Sequence, residues 1–143
     1  MENGVEPSTI DKRGRIRDFT DLEAWRCARQ LRNEVYRLCQ CFPKDETYGL
    51  KSQMRRAAVS ATANIAEGFG RYSYQENIQF LRQSRASVYE LRDHFTTALD
   101  AGYISKEEYA VLHRQAVSVI KLLNGYIRAT RNRKSTSKDG TTI

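Results

Sequence analysis

Proline is nearly absent from this sequence, with only Pro7 and Pro43 among 143 residues. Because proline interrupts helices, most of the chain can form long, continuous helices. No apolar run is long enough to cross a bilayer, which argues against a membrane-spanning protein. No run alternates between apolar and polar residues as a half-buried strand does. These absences favour an all-α protein of the cytoplasm with no membrane partner.

Cysteine and histidine are also scarce. The three cysteines are an odd number and no secretory hydrophobic segment is present, so we expect a reduced protein of the cytoplasm. A Cys-x-Cys pair with no histidine nearby is a poor zinc site, because zinc needs four ligands. Glu90 and His94 are four residues apart, whereas a carboxylate-bridged metal bundle needs Glu-x-x-His pairs on two helices. No catalytic triad order and no phosphate-binding glycine loop is present. We therefore expect no catalytic residue, no metal and no cofactor.

Apolar residues recur at helical spacing through most of the chain. Capping boxes, in which a hydroxyl and a carboxylate satisfy the first amides of a helix, are predicted at Thr20–Glu23, Ser73–Glu76 and Ser105–Glu108. The predicted helices cover about 20–41, 46–69, 73–101 and 105–131. Their short connections favour an antiparallel up-down-up-down four-helix bundle over 18–131. The polar ends are predicted to be a disordered N-terminal arm, 1–17, and a disordered basic tail, 132–143.

Basic residues outnumber acidic ones by 24 to 17, a formal net charge of +7. The segment from Arg128 onward holds five basic residues against Asp139 and contributes +4 of this total. A basic surface attracts nucleic acid, anionic lipid or an acidic protein, and composition does not choose among them.

Three arginines and a tyrosine share one outward side of the third predicted helix. They form a line of about 15 Å by helical rise, with enough charge to neutralise phosphates and a ring that can stack on a base. The alternative is that Asp21, Glu90 and Asp93 pair with the arginines. The predicted nucleic-acid-binding residues are Arg82, Arg85, Tyr89 and Arg92, a second basic face of Arg26, Arg29 and Arg37, and Arg131, Arg133 and Lys134 near the C-terminus.

The second predicted helix is apolar on two sides. Leu50, Met54 and Ile65 belong to its core stripe, whereas Val59, Ala63 and Ala66 lie on the far side. A helix that is apolar on both sides is usually buried on both, and four helices leave no internal partner for the second side. We therefore predict that these three residues contact another subunit. The alternative is that alanine is present only as a good helix former and that this face meets water.

A polar stripe runs between those two faces at spacings of three and four residues, which lets side chains interact along a helix. At an interface, these groups would pair with each other or with Ser87 and Glu90 of the third helix. The alternative is a solvated face. The stripe consists of Gln53, Arg56, Ser60, Asn64 and Glu67.

Four segments together resemble a known family: FTDLEAWRCARQLRNEVY, YGLKSQMRRA, RRAAVSATANIAEGFGRYS and FLRQSRASVYEL. They are similar to the four-helix-bundle proteins first noticed as reading frames inside intervening sequences of bacterial 23S ribosomal RNA genes. That family shares its fold with the accessory variability protein of diversity-generating retroelements. The resemblance covers about 18–128, and Asn64–Gly68 is its most specific part.

The resemblance implies a homo-oligomer, a pentameric ring of bundles, and adds Trp25 to the predicted interface. Through the retroelement relative it also implies binding to structured RNA and to a reverse transcriptase, and it implies no catalysis. We therefore predict a non-catalytic, homo-oligomeric bundle that binds nucleic acid, with RNA as the ligand, as an accessory to a reverse transcriptase or a ribosomal RNA element. The alternative is a protein-interaction scaffold whose arginines bind an acidic partner.

Overall fold

The computed structural model describes residues 16–140, with side chains through residue 134. Helix packing follows the cyclic order α1, α2, α3, α4, and the contacts of α3 with its two neighbours are the most extensive. The predicted all-α, antiparallel four-helix bundle is confirmed. Its helices are α1 (Glu23–Cys39), α2 (Leu50–Phe69), α3 (Tyr74–Asp100) and α4 (Lys106–Gly140), with 3-10 turns at Phe19–Asp21 and Lys44–Glu46.

The core consists of the apolar stripes that the helical periodicity predicts. Val35 of α1, Met54 of α2, Phe95 of α3 and Leu123 of α4 are fully buried. Burying side chains of this size stabilises the bundle by about 1.5–3 kcal/mol each relative to exposure. None of the helices in the described part of the chain is both long and apolar enough to span a bilayer.

Two of the three predicted capping interactions are present. Ser105 and Glu108 form both bonds of a capping box, at 2.9 and 3.0 Å, and Ser73 accepts a bond from the Glu76 amide. The Thr20–Glu23 box is wrong, because α1 begins at Glu23. The buried carboxylate of Asp21 instead accepts bonds from two preceding amides and holds the chain in a 3-10 turn.

Helix α2 begins at Leu50, four residues later than predicted. Glu46 remains outside the helix because its carboxylate accepts a bond of 3.1 Å from the Leu50 amide and satisfies the helix start. Helix α4 continues to Gly140, past the predicted end at 131, and 132–139 contain neither proline nor glycine to stop it. Of the predicted disordered ends, 1–15 and 141–143 lie outside the described residues.

The turn between α2 and α3 depends on a glycine. A Cβ at Gly68 would lie 2.8 Å from Cβ of Phe80 and 2.9 Å from Oδ1 of Asn77. Only glycine therefore permits the end of α2 to approach the start of α3 this closely.

Candidate nucleic-acid interface

The predicted basic line on α3 faces α4 and solvent. Arg82 is exposed, whereas Arg85 is half-buried and its Nη1 donates a bond of 2.7 Å to Oδ1 of Asn124 on α4. The Arg92 guanidinium lies 5.2 Å from the ring centroid of Tyr89. Tyr89 is 51% exposed, so one ring face is covered by a cation and the rest is open to a ligand.

Two contacts fix how α3 and α4 align. Arg85 bonds to Asn124, and Lys134 Nζ donates a bond of 3.4 Å to Oε1 of Gln75. The two helices are antiparallel, and both contacts indicate the same register. In that register Lys121 lies at the level of Tyr89, and Arg128 lies near the level of Arg82.

Helix α4 carries a row of positive charge that the sequence analysis missed. Arg114, Lys121 and Arg128 are all exposed and are spaced by seven residues, or about 10.5 Å along the helix. Between 109 and 138 the sequence contains seven Lys and Arg residues but no Asp or Glu. The seven-residue spacing and the missing acids were the available signals. We call Arg82, Arg85, Arg92, Arg114, Lys121 and Arg128 the α3–α4 basic face.

The carboxylates predicted as alternative partners do not neutralise this face. Glu90 bonds to His94 at 2.9 Å, and Asp21 lies 3.9 Å from Arg26 on the other side of the bundle. Asp93 is exposed and follows the face at the end of the arginine line. Among the residues whose side chains are described, no ion pair within 4.0 Å involves a member of the α3–α4 basic face.

The arginines of the second predicted basic face, on α1, contact other groups of the chain. Arg26 donates a bond of 2.8 Å to the Thr20 carbonyl. Arg29 lies 5.7 Å from the ring centroid of Trp25. Arg37 pairs with Glu34, and this pairing lowers the pKa of Glu34 and raises that of Arg37. Each of these arginines already has a partner within its own chain.

Near the C-terminus, Arg131 and Arg133 are exposed and Lys134 is half-buried beside Gln75. They extend the charge of α4 to the end of the bundle where the α2–α3 turn lies. No cluster of three or more metal-ligating side chains occurs within the described residues.

The family of this chain follows from a family model that matches most of its length. The family model for the 23S rRNA-intervening sequence protein matches residues 20–125. The chain belongs to this family. A solved protein of unknown function from the S23 ribosomal protein family of Bacteroides thetaiotaomicron is 19% identical, with a TM-score of 0.69 over 73% of this chain and 95% of that one. That likeness shows a shared fold. No curated protein matches the chain.

In this member of the 23S rRNA-intervening sequence protein family, the polar stripe of α2 is bonded only in its centre. Ser60 and Ser87 join α2 to α3 at 2.9 Å, and Asn64 Nδ2 donates to the carbonyl and the hydroxyl of Ser60. Gln53 and Arg56 are exposed. The structure therefore does not contain one connected ladder.

At its outer end, the stripe pairs with a residue outside it and not with another stripe residue. Glu67 lies 4.0 Å from Arg71, with both side chains about half exposed. Glu90 on α3 bonds to His94 of its own helix. Exposed ion pairs of this kind contribute about 0–1 kcal/mol to the free energy of unfolding.

The predicted interface residues lie on the α1–α2 side of this family member. Val59 is 42% exposed, Ala63 is exposed and Ala66 is half-buried. On α1, the half-buried Trp25 has an edge-to-face contact with Phe19 at 5.2 Å. In a single chain the second apolar face of α2 therefore meets solvent, and its burial against another subunit stays a prediction.

Proposed function

We propose that this chain is a non-catalytic, homo-oligomeric bundle of the cytoplasm that binds structured RNA through the α3–α4 basic face. The main support for this proposal is that six cations on two adjacent helices have no acidic partner among the described side chains. The family description, which refers to an intervening sequence of 23S rRNA, supports RNA as the ligand.

The chemistry follows from the phosphate backbone. Lys and Arg that neutralise phosphates release condensed counterions, and this release provides most of the sequence-independent affinity. The α3–α4 basic face offers two rows, one per helix, and Tyr89 lies in the α3 row with half of its surface open. An unpaired base can stack there while the arginines hold the backbone.

Self-association uses α1 and α2 in this proposal. The predicted interface residues lie on these two helices, whereas the α3–α4 basic face lies on the other two helices of the bundle. One chain can therefore contact a neighbouring copy and RNA together. A pentameric ring, as the family resemblance implies, would repeat the basic face five times and multiply weak contacts. A reverse transcriptase that shares the RNA is the proposed protein partner.

Filter-binding titrations over a salt series test the proposal with an RNA hairpin and an unstructured single-stranded RNA. Arg82→Ala and Lys121→Ala should each lower the affinity for both RNAs and flatten the log–log salt slope by roughly one unit. Lys44→Ala is the matched control. It removes the charge of one lysine from the α1–α2 connection, outside the α3–α4 basic face, and should leave the slope nearly unchanged.

Wild-type protein without salt-sensitive RNA binding would overturn the proposal. The scaffold alternative, in which the arginines bind an acidic protein, would then replace it. Equal effects of Lys44→Ala and Lys121→Ala would show that net charge, rather than the α3–α4 basic face, governs binding.

A further inference from the structure

The most exposed aromatic residue among the described side chains is Tyr72, in the turn between α2 and α3. Its relative exposure is 105%, so the ring has no protein surface against either face. Tyr74, at the start of α3, is 40% exposed. Aromatic rings normally bury a large area, and an exposed ring on a loop carried by a rigid scaffold is a common feature of binding sites.

The turn that carries Tyr72 is held on both sides. The Gly70 and Arg71 amides bond back to α2 at 3.2 and 3.1 Å, and Ser73 caps α3. The Arg71 guanidinium lies 4.8 Å from the ring centroid of Phe80. These bonds hold the backbone of the turn in place, which lowers the part of the entropy cost of binding that comes from ordering the turn.

The same end of the bundle is basic. Lys134 contacts Gln75, three residues after Tyr72, and the α3–α4 register places Arg131 near the level of Ile78. Arg128 and Arg133 are also exposed on this part of α4. Two carboxylates lie near the turn: Glu67, which is 4.0 Å from Arg71, and Glu76 in the first turn of α3. The cations of α4 outnumber them at this end of the bundle. Positive charge therefore borders an open aromatic ring.

We propose that this end of the bundle binds an unpaired segment of nucleic acid, with a base stacked on Tyr72 and the adjoining phosphates on Arg128, Arg131 and Lys134. The inference rests on the proposed function and extends it from the sides of α3 and α4 to the end of the molecule. Single-stranded sites combine aromatic platforms with a basic track, and both parts are present here. A base within a duplex cannot stack on the ring, so this site favours unpaired over paired strands.

A second exposed tyrosine gives a matched control. Tyr48 is 96% exposed and lies in the α1–α2 connection, at the opposite end of the bundle. Its chain neighbours include Asp45 and Glu46, which repel phosphates. The connection 40–49 has Lys44 as its single cation beside these two acids, so Tyr48 has nearly the exposure of Tyr72 in less basic surroundings.

The test measures binding of wild type, Tyr72→Ala, Tyr72→Phe and Tyr48→Ala to three probes. The probes are an unstructured single-stranded RNA, the same RNA annealed to its complement, and single-stranded DNA of the same sequence. Tyr72→Ala should weaken single-stranded RNA binding by about 5- to 150-fold, the range of one stacked base, and leave the salt slope unchanged. Duplex binding should change by less than about twofold. Tyr72→Phe should bind like wild type, because stacking needs only the ring.

Each outcome separates this inference from the proposed function. If Tyr72→Ala binds single strands like wild type while Arg82→Ala weakens both RNAs, the end site is wrong and the α3–α4 basic face stands. Equal losses for single strand and duplex, or equal effects of Tyr48→Ala and Tyr72→Ala, also overturn the end site. If Tyr72→Ala weakened the binding of single-stranded DNA as much as that of RNA, the site would recognise unpaired bases and not the ribose hydroxyl.

Discussion

Arg85 on α3 donates a hydrogen bond of 2.7 Å to the amide oxygen of Asn124 on α4. An amide oxygen accepts this bond without carrying charge, so Arg85 is oriented toward the α3–α4 groove and keeps its full positive charge. A carboxylate at the same position would orient the guanidinium equally well and neutralise it. The choice of asparagine is therefore consistent with a surface that holds phosphate.

Asn124→Asp should weaken RNA binding while leaving the bundle folded. The two side chains have nearly the same shape, but the carboxylate would pair with Arg85 and repel phosphate in a stretch of α4 that has no other acid. We expect the log–log salt slope to fall by roughly one unit or more. Filter binding over a salt series measures this change.

Asn33→Asp is its control, because Asn33 is exposed on α1 and accepts bonds from the neighbouring Arg32. It changes the net charge equally, but away from the α3–α4 basic face. If both substitutions reduced the slope equally, the loss would come from net charge and not from neutralising Arg85.

Ala63→Arg should dissociate the oligomer without unfolding the chain. Ala63 is exposed in the single bundle, so a longer side chain meets solvent there, whereas between two subunits it would bury an unpaired charge. Light scattering gives the mass, and circular dichroism checks that helicity is retained. Ala86→Arg, on an exposed position of α3, should keep the wild-type mass. Wild-type protein that is monomeric at micromolar concentration would contradict the predicted interface.

Gly68→Ala and Gly125→Ala should change stability in opposite directions. A Cβ at Gly68 meets Phe80 at 2.8 Å, and such overpacking costs about 1–3 kcal/mol. A Cβ at Gly125 of α4 meets nothing within 4 Å, and alanine is the better helix former by about 1 kcal/mol. Denaturant unfolding of both variants measures the difference. A neutral Gly68→Ala would mean that α3 moves away from the turn at little cost.

The bundle was predictable because helical periodicity, capping residues and short connections all point to the same fold. Residues whose burial follows from periodicity, such as Met54 and Ile65, were predicted correctly. The error at Thr20 arose because residues 19–21 form a separate 3-10 turn, in which the Asp21 carboxylate accepts the Arg17 and Asp18 amides. The following helix therefore begins at Glu23, too late for Thr20 to cap it.

The candidate site was predicted less completely. When each helix is considered separately, the α3 arginines are recognised but the α4 row that contains Lys121 is not. A helix face with one cation every seven residues resembles an ordinary solvated surface. Its significance depends on the α3–α4 register, which the Arg85–Asn124 contact fixes. The isolation of Tyr72 is likewise a property of the folded turn, since neighbouring tyrosines in sequence, such as Tyr74, are partly covered.

A hydrogen bond between the two connections at the other end of the bundle should make stability depend on pH. Tyr103 donates to Oε2 of Glu46 at 2.7 Å, which lowers the pKa of Glu46 and raises that of Tyr103. The lowered glutamate pKa contributes stability above about pH 4.3, and this contribution is lost as pH falls through the folded-state value. The raised tyrosine pKa contributes stability below about pH 10, and this contribution is lost as pH rises through the folded-state value.

Tyr103→Phe removes the hydroxyl and should therefore lower the unfolding midpoint between these two limits, with a smaller difference from wild type beyond either one. Thermal unfolding from acid to alkaline pH measures both curves. Tyr48→Phe is the control, because that side chain is almost fully exposed and should unfold like wild type at every pH. In Tyr103→Phe, Glu46 would still accept the hydrogen bond from the Leu50 amide, so part of the loss of stability at acid pH should remain. A Tyr103→Phe curve that runs parallel to wild type across the whole range would show that the bond between Tyr103 and Glu46 does not link the two connections in solution.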